Sequence, residues 1–152
     1  MTKLQKAKDE RYIAVLTPRY HEWSFDLIMG LVLKAIEQIE LQYPETKQFT
    51  FIYDGTRGSQ QFVGAVNVLS RSMKNWGKHA SSKKHHLEVE YYGPQAQFEW
   101  VKEVIEADPD IFIVLNDKHE RVLGWTVEKA RAAEIFTMVR EIPHVEQKQV
   151  IR

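Results

Sequence analysis

Three short, nearly uninterrupted apolar runs constrain this chain more than any other feature: Arg11 to Thr17, Phe49 to Tyr53 and Ile111 to Leu115. Each is too short to be a helix, and each stops at a turn-forming residue: Pro18, Asp54-Gly55 or Asn116. A strand that is apolar at successive positions, rather than at every second one, is buried on both faces. Such strands belong to a parallel sheet with helices on either side.

The intervening segments supply those helices. From Ser24, a candidate N-cap, Leu27, Ile28, Leu31, Val32, Ala35, Ile36 and Ile39 recur at three- and four-residue spacing until Pro44. The same period returns at Phe62, Val63, Val66, Leu69 and Met73, and at Phe98, Val101, Val104 and Ile105 before Asp108-Pro109. It returns again from about Gly124 through Val127 and Ala130 to Ala133. Residues 74 to 86 have no clear period and carry most of the local positive charge, which predicts a surface loop. Leu87, Val89 and Tyr91 alternate with glutamates, which predicts a third strand at a sheet edge. Ile135 to Val139 fits a fifth strand or the end of the last helix. The alternation predicts a three-layer α/β sandwich of the Rossmann-like kind, with about five mainly parallel strands in the order 3-2-1-4-5.

A chain of 152 residues is the size of one domain and can bury well over half of its surface. The expected organisation is a flexible segment over residues 1–10, the domain over 11–142 and a polar tail over 143–152. Basic and acidic residues number 21 each, so any polyanion binding must be local. Absence of cysteine excludes disulfides, thiolate metal sites and a cysteine nucleophile, and suits the reducing cytoplasm. No run approaches the roughly 18 apolar residues of a membrane span, and the lysine-rich start lacks the core of a secretion signal. No membrane association is expected.

Ligands of such sheets bind outside the carboxyl ends of the strands, where strand order reverses. That edge receives Asp54-Gly55-Thr56-Arg57-Gly58-Ser59, a strand-to-helix turn with two glycines. Glycines let backbone approach a ligand, and the first N–H groups of the next helix attract an anion. Arg57 adds a guanidinium suited to phosphate, Thr56 and Ser59 add hydroxyls, and Asp54 suits a ribose hydroxyl or a base. An equally simple reading is a tight turn whose glycines serve geometry alone.

The stretch from Ile52 to Ala65 resembles the Gly-Gly-Ala-Arg-Gly-Ala-Asp turn and following helix of the SLOG superfamily, which includes DNA-processing Smf proteins and lonely-guy phosphoribohydrolases. Thr17-Pro18-Arg19 stands where many members have Gly-Ser-Arg after the first strand. The resemblance implies a ligand-binding set of Thr17, Arg19, Asp54, Gly55, Thr56, Arg57, Gly58 and Ser59, a nucleotide-like ligand and pairing into a homodimer through helices. The phosphoribohydrolases also carry Pro-Gly-Gly-x-Gly-Thr-x-x-Glu. This chain has Leu115-Asn116-Asp117-Lys118 instead and, farther on, Gly124-Trp125-Thr126-Val127-Glu128. The leading expectation is therefore a non-catalytic sensor or sequestering protein for a nucleotide or nucleotide-derived molecule, without a further cofactor. An alternative is cleavage of a nucleoside monophosphate at its N-glycosidic bond, with Glu128 and Arg121 as acid and phosphate anchor.

A third reading takes the basic loop 71–86, with Arg71, Lys74, Lys78, Lys83, Lys84 and Trp76, as a grip for single-stranded nucleic acid. Trp23, Tyr91, Tyr92 and Trp125 are candidates for a base-binding slot, against the plainer role of packing. His79, His85 and His86 lie among lysines without metal-binding spacing, so no metal is expected.

Overall fold

The computed structural model describes residues 6–18, 23–87, 89–116 and 120–141. Its elements are β1 (Glu10–Leu16), α1 (Phe25–Gln42), β2 (Gln48–Tyr53), α2 (Arg57–Met73) and β3 (His79–Lys84). They continue with α3 (Val89–Tyr92), a single turn, then α4 (Ala96–Glu106), β4 (Ile111–Asn116), α5 (Arg121–Ala132) and β5 (Phe136–Glu141). The five strands form one parallel sheet in the order β3-β2-β1-β4-β5. This is the three-layer Rossmann-like architecture that the alternation of apolar runs predicts.

Right-handed crossovers explain the layers. The chain steps from β1 to β2 to β3 in one direction, which puts α1 and α2 on one face, and then doubles back. Steps in the other direction put α4 and α5 on the opposite face. Alternate strand residues serve the two cores: Ile13, Val15, Phe49, Phe51, Ile111 and Ile113 pack against α1 and α2. Ala14, Leu16, Ile52, Phe112 and Val114 meet α4 and α5. Both faces of the central strands are therefore dry, which is why those runs have no polar alternation.

The third strand is corrected: it is His79–Lys84, inside the predicted loop, and not Leu87–Tyr91. An edge strand is held from one side only, and here Ala80 alone is buried, so no apolar run marks it. The rest of the predicted loop is a 3-10 turn at Lys74–Trp76 followed by Gly77 in the left-handed region at φ 69°. Leu87 is buried as an anchor ahead of α3. Three boundaries also move: α2 begins at Arg57, α5 begins at Arg121, and Phe136–Glu141 is strand. Residues 6–10 are tied to the domain, since the Asp9 carbonyl accepts from the Lys47 and Gln48 amides and Lys6 pairs with Asp110. The predicted tail 143–152 and residues 1–5 lie outside the described residues. Among the described residues no helix is long and apolar enough to cross a membrane.

Candidate functional site

Strand order reverses between β1 and β4, and sheets of this kind bind ligands outside the carboxyl ends of the strands at such a point. The turn after β2 lies one strand away. Its organiser is Asp54, which is only 2% exposed. Asp54 Oδ1 accepts from the Thr56 amide at 3.0 Å, the Thr56 hydroxyl at 2.8 Å and the Ser59 hydroxyl at 2.7 Å. The carboxylate thus organises the turn ahead of α2, and Thr56 at the N-cap position makes no side-chain cap bond of its own. Asp54 Oδ2 is buried without a hydrogen-bond partner.

The two glycines have different reasons. Gly55 turns the chain at φ 85°, with the Lys84 side chain across it: an added Cβ would lie 2.4 Å from Lys84 Cε. Gly58 lies under the end of β1, where a Cβ would fall 2.0 Å from the Pro18 carbonyl oxygen and 2.6 Å from Thr17 Oγ1. The Thr17 hydroxyl is itself buried and donates to the Pro18 carbonyl. Gln61 ties the assembly to the start of α1, its Oε1 accepting from the Trp23 amide at 2.6 Å. Gln60 Nε2 donates to the Gly55 carbonyl at 2.9 Å.

The structure therefore brings Thr17, Asp54, Thr56, Gly58 and Ser59 together, but largely with one another. Thr17 and Ser59 are fully buried, so their hydroxyls serve the fold and not a surface ligand. Arg57 is exposed at the first position of α2, whose first turn has no acidic residue. Lys83 and Lys84 are exposed at the carboxyl end of β3, beside that turn. Sequence reasoning placed these lysines in a loop and missed their position at this edge; two lysines closing a small-residue segment were the available signal. Arg19 lies outside the described residues.

Arg121 and Glu128 do not converge. Both are exposed on α5 seven residues apart, about 10 Å of helical rise at about 1.5 Å per residue. The aromatic candidates are divided as well: Trp23 packs against the α1–α2 core, whereas Tyr92 and Trp125 belong to the other. Trp125 stacks edge-on with Phe98, centroids 5.0 Å apart, and Tyr91 falls outside the described side chains. His85 pairs with Glu103, and His79 contacts the Ser70 hydroxyl. Among the described residues no three His, Asp or Glu side chains gather as metal ligands. No protein-family model, curated protein or solved structure matches the chain.

Proposed function

We propose that the carboxyl edge of this sheet binds a nucleotide or nucleotide-derived small molecule, as a sensor or sequestering protein. The observation that carries the reading is the start of α2: its first turn holds no acid, its first residue is the exposed Arg57, and it lies against the carboxyl end of β1, beside which strand order reverses. Helix N–H groups and a guanidinium together favour phosphate. The Asp54 carboxylate beneath the turn is engaged by three donors, and Lys83 and Lys84 add positive charge on the same side. The wide separation of Arg121 and Glu128 favours binding over turnover. The absence of cysteine suits a cytoplasmic setting.

Thermal-shift titration with AMP, cyclic nucleotides and ADP-ribose tests this, since a ligand selective for the folded state raises the melting temperature. Arg57→Ala should weaken the best ligand about tenfold, as for one lost charge-assisted hydrogen bond, with the far-ultraviolet circular dichroism retained. A ligand that binds Arg57→Ala as tightly as the native chain would move the site elsewhere. Chromatography of the incubated ligand separates binding from N-glycosidic cleavage, because a released base appears only in the second case.

A further inference from the structure

Positive charge is segregated along this chain. Residues 55 to 87 hold six of the 21 lysines and arginines and none of the 21 acidic residues. Folding gathers much of this charge on the α2–β3 side of the molecule, where a groove of about 580 Å³ runs between helix and edge strand. Asn67, Ser70, Arg71 and Lys74 line its helical side, and His79 to Ser82 line the strand side. Arg71, Lys74, Lys83 and Lys84 are exposed.

The strand beneath is open. Among the described residues β3 is terminal in the sheet and pairs only with β2. The His79 amide donates to the Lys47 carbonyl and the His85 amide to the Tyr53 carbonyl. Main-chain groups of a strand alternate in direction, so the N–H and C=O groups of Ala80, Ser82 and Lys84 point away from β2. They form a short ladder next to the groove, with cations at both ends of the strand.

We infer that β3 accepts an extended acidic peptide segment of a partner protein as an added strand, its main chain on the Ala80–Ser82–Lys84 ladder and its carboxylates on Arg71, Lys74 and Lys83. Strand addition draws affinity from main-chain hydrogen bonds and selectivity from side chains. Here the selectivity is electrostatic. A second copy is excluded as the added strand, because antiparallel β3–β3 pairing sets His79 and the lysines of one copy against those of the other, and edge lysines act against such pairing. Oligonucleotide phosphates would engage the cations and leave the ladder unused. The inference does not require the proposed nucleotide site, with which it shares Lys83 and Lys84 but not Arg57.

The probe is a dye-labelled peptide of alternating glutamate and valine, about eight residues long, enough to span β3 at about 3.3 Å per residue. Fluorescence anisotropy should show saturable binding, and replacing its glutamates by lysines should abolish it. N-methylation at alternate residues should abolish binding in one register and spare it in the other, a test that leaves the protein unaltered. The double change Arg71→Glu, Lys74→Glu should weaken binding at least about tenfold, as expected when charge complementarity is inverted, with the far-ultraviolet circular dichroism retained. Absence of peptide binding, or equal binding of both N-methylated registers, would overturn the inference. So would tighter binding of an oligothymidylate of similar charge, which would make the face a general polyanion surface.

Discussion

Asp54 holds its turn by accepting three hydrogen bonds on one oxygen while the other oxygen stays buried and unbonded. Removing the acceptor strands the Thr56 amide and leaves the two hydroxyls to the Thr56 carbonyl and to each other. Asp54→Ala is therefore expected to cost about 2–3 kcal/mol in urea denaturation, whereas Asp54→Asn, which keeps one carbonyl oxygen, should cost about 1 kcal/mol or less. Equal losses would mean that the carboxylate does not organise the turn. Tyr12 offers a second residue-level test. Its hydrogen bond to Glu10, then burial, then the Glu10 charge raise the phenol from 10.0 to about 12. The fold favours the protonated phenol, so this stabilisation is complete below pH 10 and is lost as pH rises through about 12. An absorbance titration of the tyrosines should contain a late phenol that Tyr12→Phe removes, and that variant should lose less stability over the same window. The sequence marks residues 54–59 as a special turn but not the direction of its hydroxyls. An aspartate before glycine can face a ligand or cap its own helix, and only the depth of Asp54 decides.

The helices and central strands were legible because their burial is periodic or continuous. α1 carries the three- and four-residue spacing over its whole length, and β4 is apolar from Ile111 to Leu115. β3 was not legible, because a strand bonded on one side survives with one buried alanine, and His-Ala-Ser-Ser-Lys-Lys resembles a loop. Alternation at Leu87, Val89 and Tyr91 misled, since a two-residue period also fits an anchor residue followed by one helical turn. Within α2 the glycines separate geometry from propensity. Gly64→Ala meets open space on an exposed helical face and should stabilise by about 0.5–1 kcal/mol. Gly58→Ala drives a methyl group into the Pro18 carbonyl and should destabilise by about 1–3 kcal/mol. Thermal melts of the two variants side by side check the contrast, and similar shifts would place Gly58 outside any tight contact.

The whole molecule depends on a strand placed early in sequence and centrally in space. β1 aligns Ile13 with Phe51 on one flank and with Ile111 on the other. During synthesis the first flank is clothed once β2 has emerged, but the second stays bare until β4 arrives, far downstream. Until then the nascent polypeptide carries an oily ribbon with an unmet ladder of amides, a condition that invites capture by chaperones. A polypeptide stopped after Ala107 should run as aggregates in size-exclusion chromatography, whereas extension through Glu141 restores a discrete peak; a discrete peak from the shorter form would show that β1 tolerates nakedness.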